Sequence, residues 1–470
     1  MKQQAYNPYL PSWEYIPDGE PRLFENRVYV YGSHDGPGGS ADCVCWSAPA
    51  ENLSDWRYEG VVYPKAHNPL MPSARFLSAP DVVQGPDGRY YLYHCFGFLG
   101  EMGVAVCDTP AGKYEFYGKV RFPDGSVWGR NPGDQLPSDP GVLVDDDGRV
   151  YLYSGFAGEV PFSAFHRRDL RNDGGVVMEL ERDMITIKTG PELLLPSRGK
   201  PRAFPNHAFF AASSIRKVDG KYCLVYASEH NHDLCYAVSD KPKGPFSFGG
   251  VLIDQGDLYV DGNDDESRAY NYLGSSHGGL LNIGEDWYVF YHRQTDRSSR
   301  AGQACAEKLE RRRDGWFRQA KLTSCGLNGG PLRAEGRYEA RIACNLWSRD
   351  GTGRYDCTSP HIAFRGHPYF TRGSKNREGR GDQCIANMRA GAVAGFKSFR
   401  FSGAETAVSV ETRGDEDGRF IVLDAEGMVA AVPVNGTGEL KIAPGVHPLF
   451  FVYEGKGKVD FISFTIHGGG

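Results

Sequence analysis

The sequence predicts an all-β protein: a five-bladed β-propeller over residues 1–325, followed by a β-sandwich over residues 332–470. Three observations carry this reading. The chain combines many aromatics (26 Tyr, 26 Phe, 7 Trp) with many turn formers (60 Gly, 29 Pro), a balance that favours short strands joined by tight turns. One strand pattern recurs five times at steps of roughly 60 to 70 residues, the length of a multi-stranded propeller blade. The texture then changes after Ser324-Cys-Gly-Leu-Asn-Gly-Gly-Pro331.

The five copies run in order. They are Glu25-Asn-Arg-Val-Tyr-Val-Tyr31, Asp87-Gly-Arg-Tyr-Tyr-Leu-Tyr93, Asp147-Gly-Arg-Val-Tyr-Leu-Tyr153, Asp219-Gly-Lys-Tyr-Cys-Leu-Val-Tyr226 and Glu285-Asp-Trp-Tyr-Val-Phe-Tyr291. Each opens on a turn dipeptide and continues as an apolar run of period-two character, the mark of a hairpin strand. A second element repeats as well: Val106-Cys-Asp-Thr-Pro-Ala-Gly-Lys-Tyr-Glu-Phe116 resembles Val238-Ser-Asp-Lys-Pro-Lys-Gly-Pro-Phe-Ser-Phe248. Beyond residue 332, runs such as Tyr338-Glu-Ala-Arg-Ile-Ala-Cys344 and Ala407-Val-Ser-Val-Glu-Thr412 alternate polar and apolar residues. These are expected to form a separate sandwich.

Charge and cysteine usage exclude several classes. With 53 basic and 59 acidic residues the net charge is −6, and no long basic run offers a nucleic acid or an anionic membrane a surface. The N-terminal residues lack an apolar core of signal-peptide length, and no stretch is long enough to span a bilayer. The odd number of cysteines, 11, many inside apolar runs, reads as buried reduced thiols. Cys43-Val-Cys45 has the wrong spacing for a zinc knuckle. A cytoplasmic protein is expected.

A propeller gathers residues from distant blades around one axial funnel, so acids just ahead of the repeat strands converge. Hydrolysis of a glycosidic bond commonly uses two carboxyl groups, one protonating the leaving oxygen and one activating water or attacking directly. A third acid can hold the proton donor and tune its pKa. Asp18, in Tyr15-Ile-Pro-Asp-Gly-Glu-Pro-Arg-Leu-Phe24, precedes the first repeat strand. Asp139, in Ser138-Asp-Pro-Gly-Val-Leu-Val144, precedes the third. Ala211 precedes the fourth, and Asp81 in Ala79-Pro-Asp-Val82 is a further candidate before the second. Asp145-Asp-Asp-Gly148 is read instead as a solvated hairpin turn.

These segments resemble glycoside hydrolase family 43, a family of five-bladed inverting enzymes, over the first 325 residues. Asp18, four residues before Arg22 and six before Phe24, resembles its general base. Ser138-Asp139-Pro140, followed by Asp-Asp-Asp-Gly, resembles the segment of its pKa-tuning aspartate. Phe209-Phe-Ala-Ala-Ser-Ser214 resembles a Phe-Phe-Glu-Ala-Ser-Ser segment whose Glu is the general acid. Gly274-Ser-Ser-His-Gly-Gly279 with Tyr291-His-Arg293 resembles its last-blade pattern. The departure is Ala211, where a methyl group stands in place of the acid while its neighbours are intact, a change that reads as inactivation. Glu229, in Ala227-Ser-Glu-His-Asn231, falls past a strand and is a poor substitute.

The resemblance implies an exo-glycosidase acting on pentose-containing oligosaccharides. The terminal sugar is α-L-arabinofuranose, with D-xylose and galactofuranose as alternatives. A sugar-binding protein that has lost its acid is the alternative of another class. For inversion, base and acid carboxyls are expected about 6.5–9.5 Å apart. The resemblance also implies a structural calcium ion near the axis at His277. Because Ca²⁺ prefers about six to eight oxygens, water would supply most of its ligands. Arg293 is a candidate for binding sugar hydroxyls, with an inter-blade ion pair as its alternative. Trp13 and Phe96 are candidate stacking platforms. The segment Gln383-Cys-Ile-Ala-Asn-Met-Arg-Ala-Gly-Ala-Val-Ala-Gly-Phe-Lys397 resembles a family 6 carbohydrate-binding module. Such a domain is expected mainly to cover the propeller edge.

Overall fold

A computed structural model of the chain describes residues 3–36, 39–67, 77–96, 100–158, 169–355, 366–372, 383–414 and 417–468. Among these, five antiparallel sheets follow one another along the chain. Blade one comprises Glu20–Phe24, Arg27–Ser33, Cys43–Pro49 and Arg57–Tyr63, and blade two Leu77–Gln84, Tyr90–Phe96, Met102–Cys107 and Glu115–Lys119. Blade three comprises Gly141–Val144, Val150–Ser154, Gly174–Leu180 and Ile187–Pro196. Blade four comprises Phe209–Val218, Lys221–Ser228, Asp233–Ser239 and Ser247–Asp254. Blade five is built from Leu280–Ile283, Asp286–Thr295 and Ser298–Leu309. Each recurrent run of the sequence is the second strand of its blade, and its turn dipeptide lies in the hairpin that leads into it, except in blade five, where the turn is Gly284-Glu285 and Asp286 already begins the strand.

The packing explains why those runs are apolar on both faces. Successive side chains of a strand point to opposite faces of its sheet, and here each face meets a different neighbouring blade. Tyr90 and Leu92 pack with Tyr31, Cys45 and Tyr63 of blade one. Tyr91 and Tyr93 pack with Val150, Leu152 and Val176 of blade three. Tyr151 and Tyr153 then face Phe209 and Ile215 of blade four. Val225 and Ala227 face Val289 and Tyr291 of blade five. Finally Phe290 and Ala304 return to Val28, Val30 and Trp46 of blade one. The apolar clusters thus link the blades in a closed ring. The N-terminal segment seals it: the Asn7 side chain donates to Ala306 O and accepts from Ala306 N, imitating a strand beside blade five.

The described residues between 332 and 468 include two six-stranded sheets closed over a phenylalanine-rich core that includes Phe396, Phe399, Phe451, Phe461 and Phe464. This sandwich is fastened to the propeller. Arg354–Tyr355 pairs in parallel with Leu273–Gly274, and Lys397 Nζ lies 2.5 Å from Asp257 Oδ2. Among the described residues ten cysteines are free, all but Cys107 buried. Among the described residues no helix is long and apolar enough to cross a membrane.

Candidate active site

The same local geometry recurs where the chain reaches the inner strands. Asp18, Ala79, Asp139 and Ala212 have left-handed backbones, with φ of 56°, 48°, 48° and 66°. Aspartate tolerates this region better than most residues. Each stands at the funnel end of an inner strand, and the residue two positions later (Glu20, Asp81, Gly141, Ser214) lies deeper in the ring. In blade four the distortion is a bulge: the pairing of Phe209–Val218 with its neighbour slips on both sides of Ala211. A bulge re-aims side chains next to functional sites.

This register separates the funnel acids from the structural ones. Asp18 and Asp139 occupy the left-handed position. Asp18 keeps 25 % of its side chain exposed, and its Oδ1 lies 3.7 Å from Nδ1 of the buried His277. Its backbone N–H donates to His292 Nδ1 at 3.2 Å. Accepting that bond requires a neutral His292, and burial pushes the His292 pKa down. Asp139 Oδ2 accepts from Ala212 N at 3.0 Å, and its Oδ1 accepts from Ser138 Oγ at 3.0 Å. Burial raises the Asp139 pKa; His277 opposes the shift and the like charge of Asp18 adds to it. The Ala212 bond puts Asp139 against the bulge that carries Ala211, which is only 7 % exposed. Asp18, His277, Asp139 and position 211 therefore form one cluster drawn from blades one, three, four and the start of blade five.

Asp81 does not belong to it, contrary to expectation. Blade two carries Ala79 at the left-handed position, and Asp81, two residues further on, is the counterpart of Glu20. Asp81 is 1 % exposed, accepts from Arg22 Nε at 2.9 Å and from Val142 N at 2.7 Å, and so ties blades one, two and three. Glu20 does the same across the ring, accepting from Ser214 Oγ at 2.8 Å and Arg216 Nη2 at 2.6 Å. Both carboxylates are buried and held by an arginine, although Glu20 Oε2 has no hydrogen-bond partner, and both serve to tie blades together.

Arg293 is also corrected. It is 5 % exposed, and its guanidinium donates to Ala343 O at 2.7 Å, Arg341 O at 2.6 Å and Gln303 Oε1 at 3.2 Å. Its carbon lies 3.8 Å from the centre of the Phe370 ring. It clamps the sandwich to blade five, because the following segment brings carbonyls that the sequence could not place beside it. Glu229 is engaged with Arg198 Nε at 3.2 Å and Ala208 N at 3.3 Å. Trp13 is half buried and packs at 5.7 Å from Trp46. The Phe96 side chain lies outside the described residues.

Two participants escaped the sequence reading. His292 was visible only as part of a motif, and its role depends on the fold bringing it to Asp18. Asp35, in His34-Asp-Gly36, sits in the field of Asp18; burial, with that like charge, pushes its pKa up to about 6. Nothing in its local sequence distinguishes it from a turn residue. As a cation site, the funnel offers one His277 nitrogen and the Asp18 carboxylate. Gln255 Oε1, Gln294 Oε1 and Ser276 Oγ, on neighbouring segments, are buried oxygens with no protein partner. Such a set suits a hard, largely hydrated cation rather than a soft one.

Comparison with known proteins follows the same lines. Residues 25–317 match the family model for glycosyl hydrolases family 43. A xylosidase/arabinosidase from Thermoclostridium stercorarium is 41 % identical, with 99 % of each chain covered. An arabinoxylan arabinofuranohydrolase from Paenibacillus polymyxa is 27 % identical over 83 % of this chain and 60 % of its own length. Among solved structures, a family 43 arabinoxylan arabinofuranohydrolase from Bacillus subtilis in complex with cellotetraose superposes with a TM-score of 0.52. It is 19 % identical, with 99 % of this chain and 98 % of that one covered. A β-xylosidase/α-arabinofuranosidase from a compost microbial metagenome, in complex with xylotriose, has a TM-score of 0.52 at 23 % identity, covering 68 % of this chain and 98 % of that one.

Proposed function

The chain belongs to glycosyl hydrolase family 43, and from that premise we propose that its site is built to release terminal α-L-arabinofuranose from arabinoxylan- or arabinan-derived oligosaccharides with inversion. The observation that carries the reading is that Asp18, Asp139 and Ala212 share one left-handed register around the funnel, with position 211 on the bulge just before Ala212. Asp18 takes a proton from the attacking water. Water oxygen bonds to the anomeric carbon as the glycosidic C–O bond breaks. The leaving oxygen needs a proton, and position 211 is where its donor belongs. Asp139, held against that position by Ala212 N–H, is set to keep a neighbouring carboxyl protonated. With Ala211 the donor is missing, and this chain is catalytically impaired. His277 and Asp18 would hold a hydrated calcium ion, which would fix the funnel floor. The sandwich acts as a buttress, an assignment supported by the Arg293 clamp and the Lys397–Asp257 pair.

Hydrolysis of β-D-xylosides is the second reading, favoured by the full-length relative that bears both activities in its name. A non-catalytic sugar binder is a third, and rests on Ala211 alone. Assay of this chain and its Ala211→Glu variant on 4-nitrophenyl α-L-arabinofuranoside, 4-nitrophenyl β-D-xyloside and arabinoxylan oligosaccharides decides among them. Greater turnover of the arabinofuranoside supports the proposal. Preference for the xyloside transfers it to the second reading. No turnover by either form, with sugar still bound, leaves the binder.

A further inference from the structure

Blade four carries a second cluster of potential ligands, one strand outward from position 211 and on the same face of the propeller. The turn between Lys221–Ser228 and Asp233–Ser239 contributes His230 and His232. The 3-10 turn Glu266–Arg268 contributes Glu266. One ligand atom from each of the three lies within 4.8 Å of the others. Glu266 Oε1 is 3.3 Å from His232 Nε2 and 3.5 Å from His230 Nδ1. A tetrahedral zinc ion with bonds of about 2.0–2.1 Å separates its ligands by about 3.3–3.4 Å.

The outer partners set which ring nitrogens face inward. His232 is fully buried, and its Nδ1 is 2.7 Å from Asp254 Oδ2. Asp254 Oδ1 in turn accepts from Gly256 N at 2.8 Å and Leu258 N at 3.0 Å, so this carboxylate is firmly held. His230 Nε2 is 2.8 Å from the carbonyl oxygen of Asn206, which can only accept, so that nitrogen carries the proton. In the neutral tautomers these partners select, His232 Nε2 and His230 Nδ1 both turn lone pairs toward one oxygen of Glu266. Positive charge has to lie among these three atoms, either as a proton on His232 Nε2, which the carboxylates of Asp254 and Glu266 favour, or as a metal ion bound in its place. A carboxylate and a backbone carbonyl behind two imidazoles are also the usual outer partners of metal-bound histidines. The other oxygen of Glu266 faces Arg354 Nη1 at 3.5 Å, and Arg354 Nη2 donates to His230 O at 2.5 Å.

We propose that His230 Nδ1, His232 Nε2 and Glu266 Oε1 bind one divalent transition-metal ion of the zinc class, with water in the fourth position. Two imidazoles and a carboxylate are a common zinc donor set, poorly suited to the hard, oxygen-seeking calcium ion. The site joins three segments: the blade-four turn, the 257–271 segment that follows blade four, and the sandwich strand that supplies Arg354. Its role is to fasten the 257–271 segment beside the funnel. It involves none of the funnel residues, and its test is independent of the proposed activity.

The whole chain, stripped of transition metals and kept in millimolar calcium to saturate hard-oxygen sites, is titrated with Zn²⁺ by calorimetry and with Co²⁺ by absorbance. One equivalent is expected to bind, with the visible bands of a nitrogen- and oxygen-ligated cobalt and no thiolate charge-transfer band. Glu266→Gln, at a side chain 44 % exposed, should weaken Zn²⁺ binding at least about 10-fold while the stripped variant melts with the stripped parent; Asp254→Asn should weaken it about 10–100-fold. Absence of binding overturns the proposal. So does binding that Glu266→Gln leaves unchanged, because the cluster is then a protonated histidine held by two carboxylates. A thiolate band also overturns it, by moving the ion to the neighbouring group His207, Asp233 and Cys235.

Discussion

Replacing Ala211 by glutamate is the most informative perturbation of this protein. The new carboxyl would sit on a bulge that is 7 % exposed, next to Asp139, whose Oδ2 is 3.0 Å from Ala212 N. Burial and a like charge both favour its protonated form, which is the form a general acid needs. General acid catalysis contributes roughly 10²–10⁴-fold, equivalent to about 3–5 kcal/mol of barrier at 1.36 kcal/mol per tenfold. Oligosaccharide hydrolysis should therefore rise by roughly that factor. A 4-nitrophenyl glycoside leaves as a stabilised phenolate and hardly needs the proton, so its gain should be smaller by a factor of about ten or more. Enlarging a buried side chain can cost about 1–3 kcal/mol, so thermal melts accompany the kinetics. Ala211→Gln supplies nearly the same bulk without a donatable proton of suitable pKa, and should remain as slow as the parent. The reasoning is refuted if Ala211→Gln matches Ala211→Glu, if both substrate classes gain equally, or if the parent already hydrolyses oligosaccharides at the rate of the variant.

Other residues give separate tests. In the Ala211→Glu background, Asp18→Asn should lower kcat on both substrate classes by roughly 10²–10⁴-fold with sugar binding retained in calorimetry, since the base is needed whatever the leaving group. Arg22→Ala strands the buried Asp81 carboxylate and should cost about 3–5 kcal/mol, read as a lower denaturant midpoint; an undiminished midpoint would show that the pair is not the structural tie described. Asp35 has its pKa raised in the folded state from 3.8 to about 6, so the native protein binds more protons than the unfolded chain between those values. Stability should fall as pH rises from about 4 to 6, and Asp35→Asn should flatten that part of the stability–pH curve; a slope equal to the parent's would remove Asp35 as its source.

Much of this protein was legible in its sequence because the information was local and repeated. A turn dipeptide followed by alternating aromatic and aliphatic residues specifies a two-faced strand. Five such strands, each apolar on both faces, have no stable arrangement unless every blade finds a neighbour on either side. Asp18 and Asp139 could be singled out as candidates for the same reason, since each stands just ahead of a repeat strand. What only the tertiary structure decided was how far along its strand each acid falls. Asp81 reads like Asp139 in sequence, both lying beside a proline ahead of a repeat strand. It faces Arg22 rather than the funnel because the left-handed residue of blade two is Ala79, two positions earlier. Side chains of a strand alternate between faces and advance about 3.3 Å per residue, so two residues carry an acid from the funnel mouth into the ring. Arg293 was misplaced because its partners, the carbonyls of Arg341 and Ala343, arrive from another domain. His292, Asp35 and the convergence of His230, His232 and Glu266 are likewise products of closure: their chemistry comes from distances between segments, which no single stretch of chain encodes.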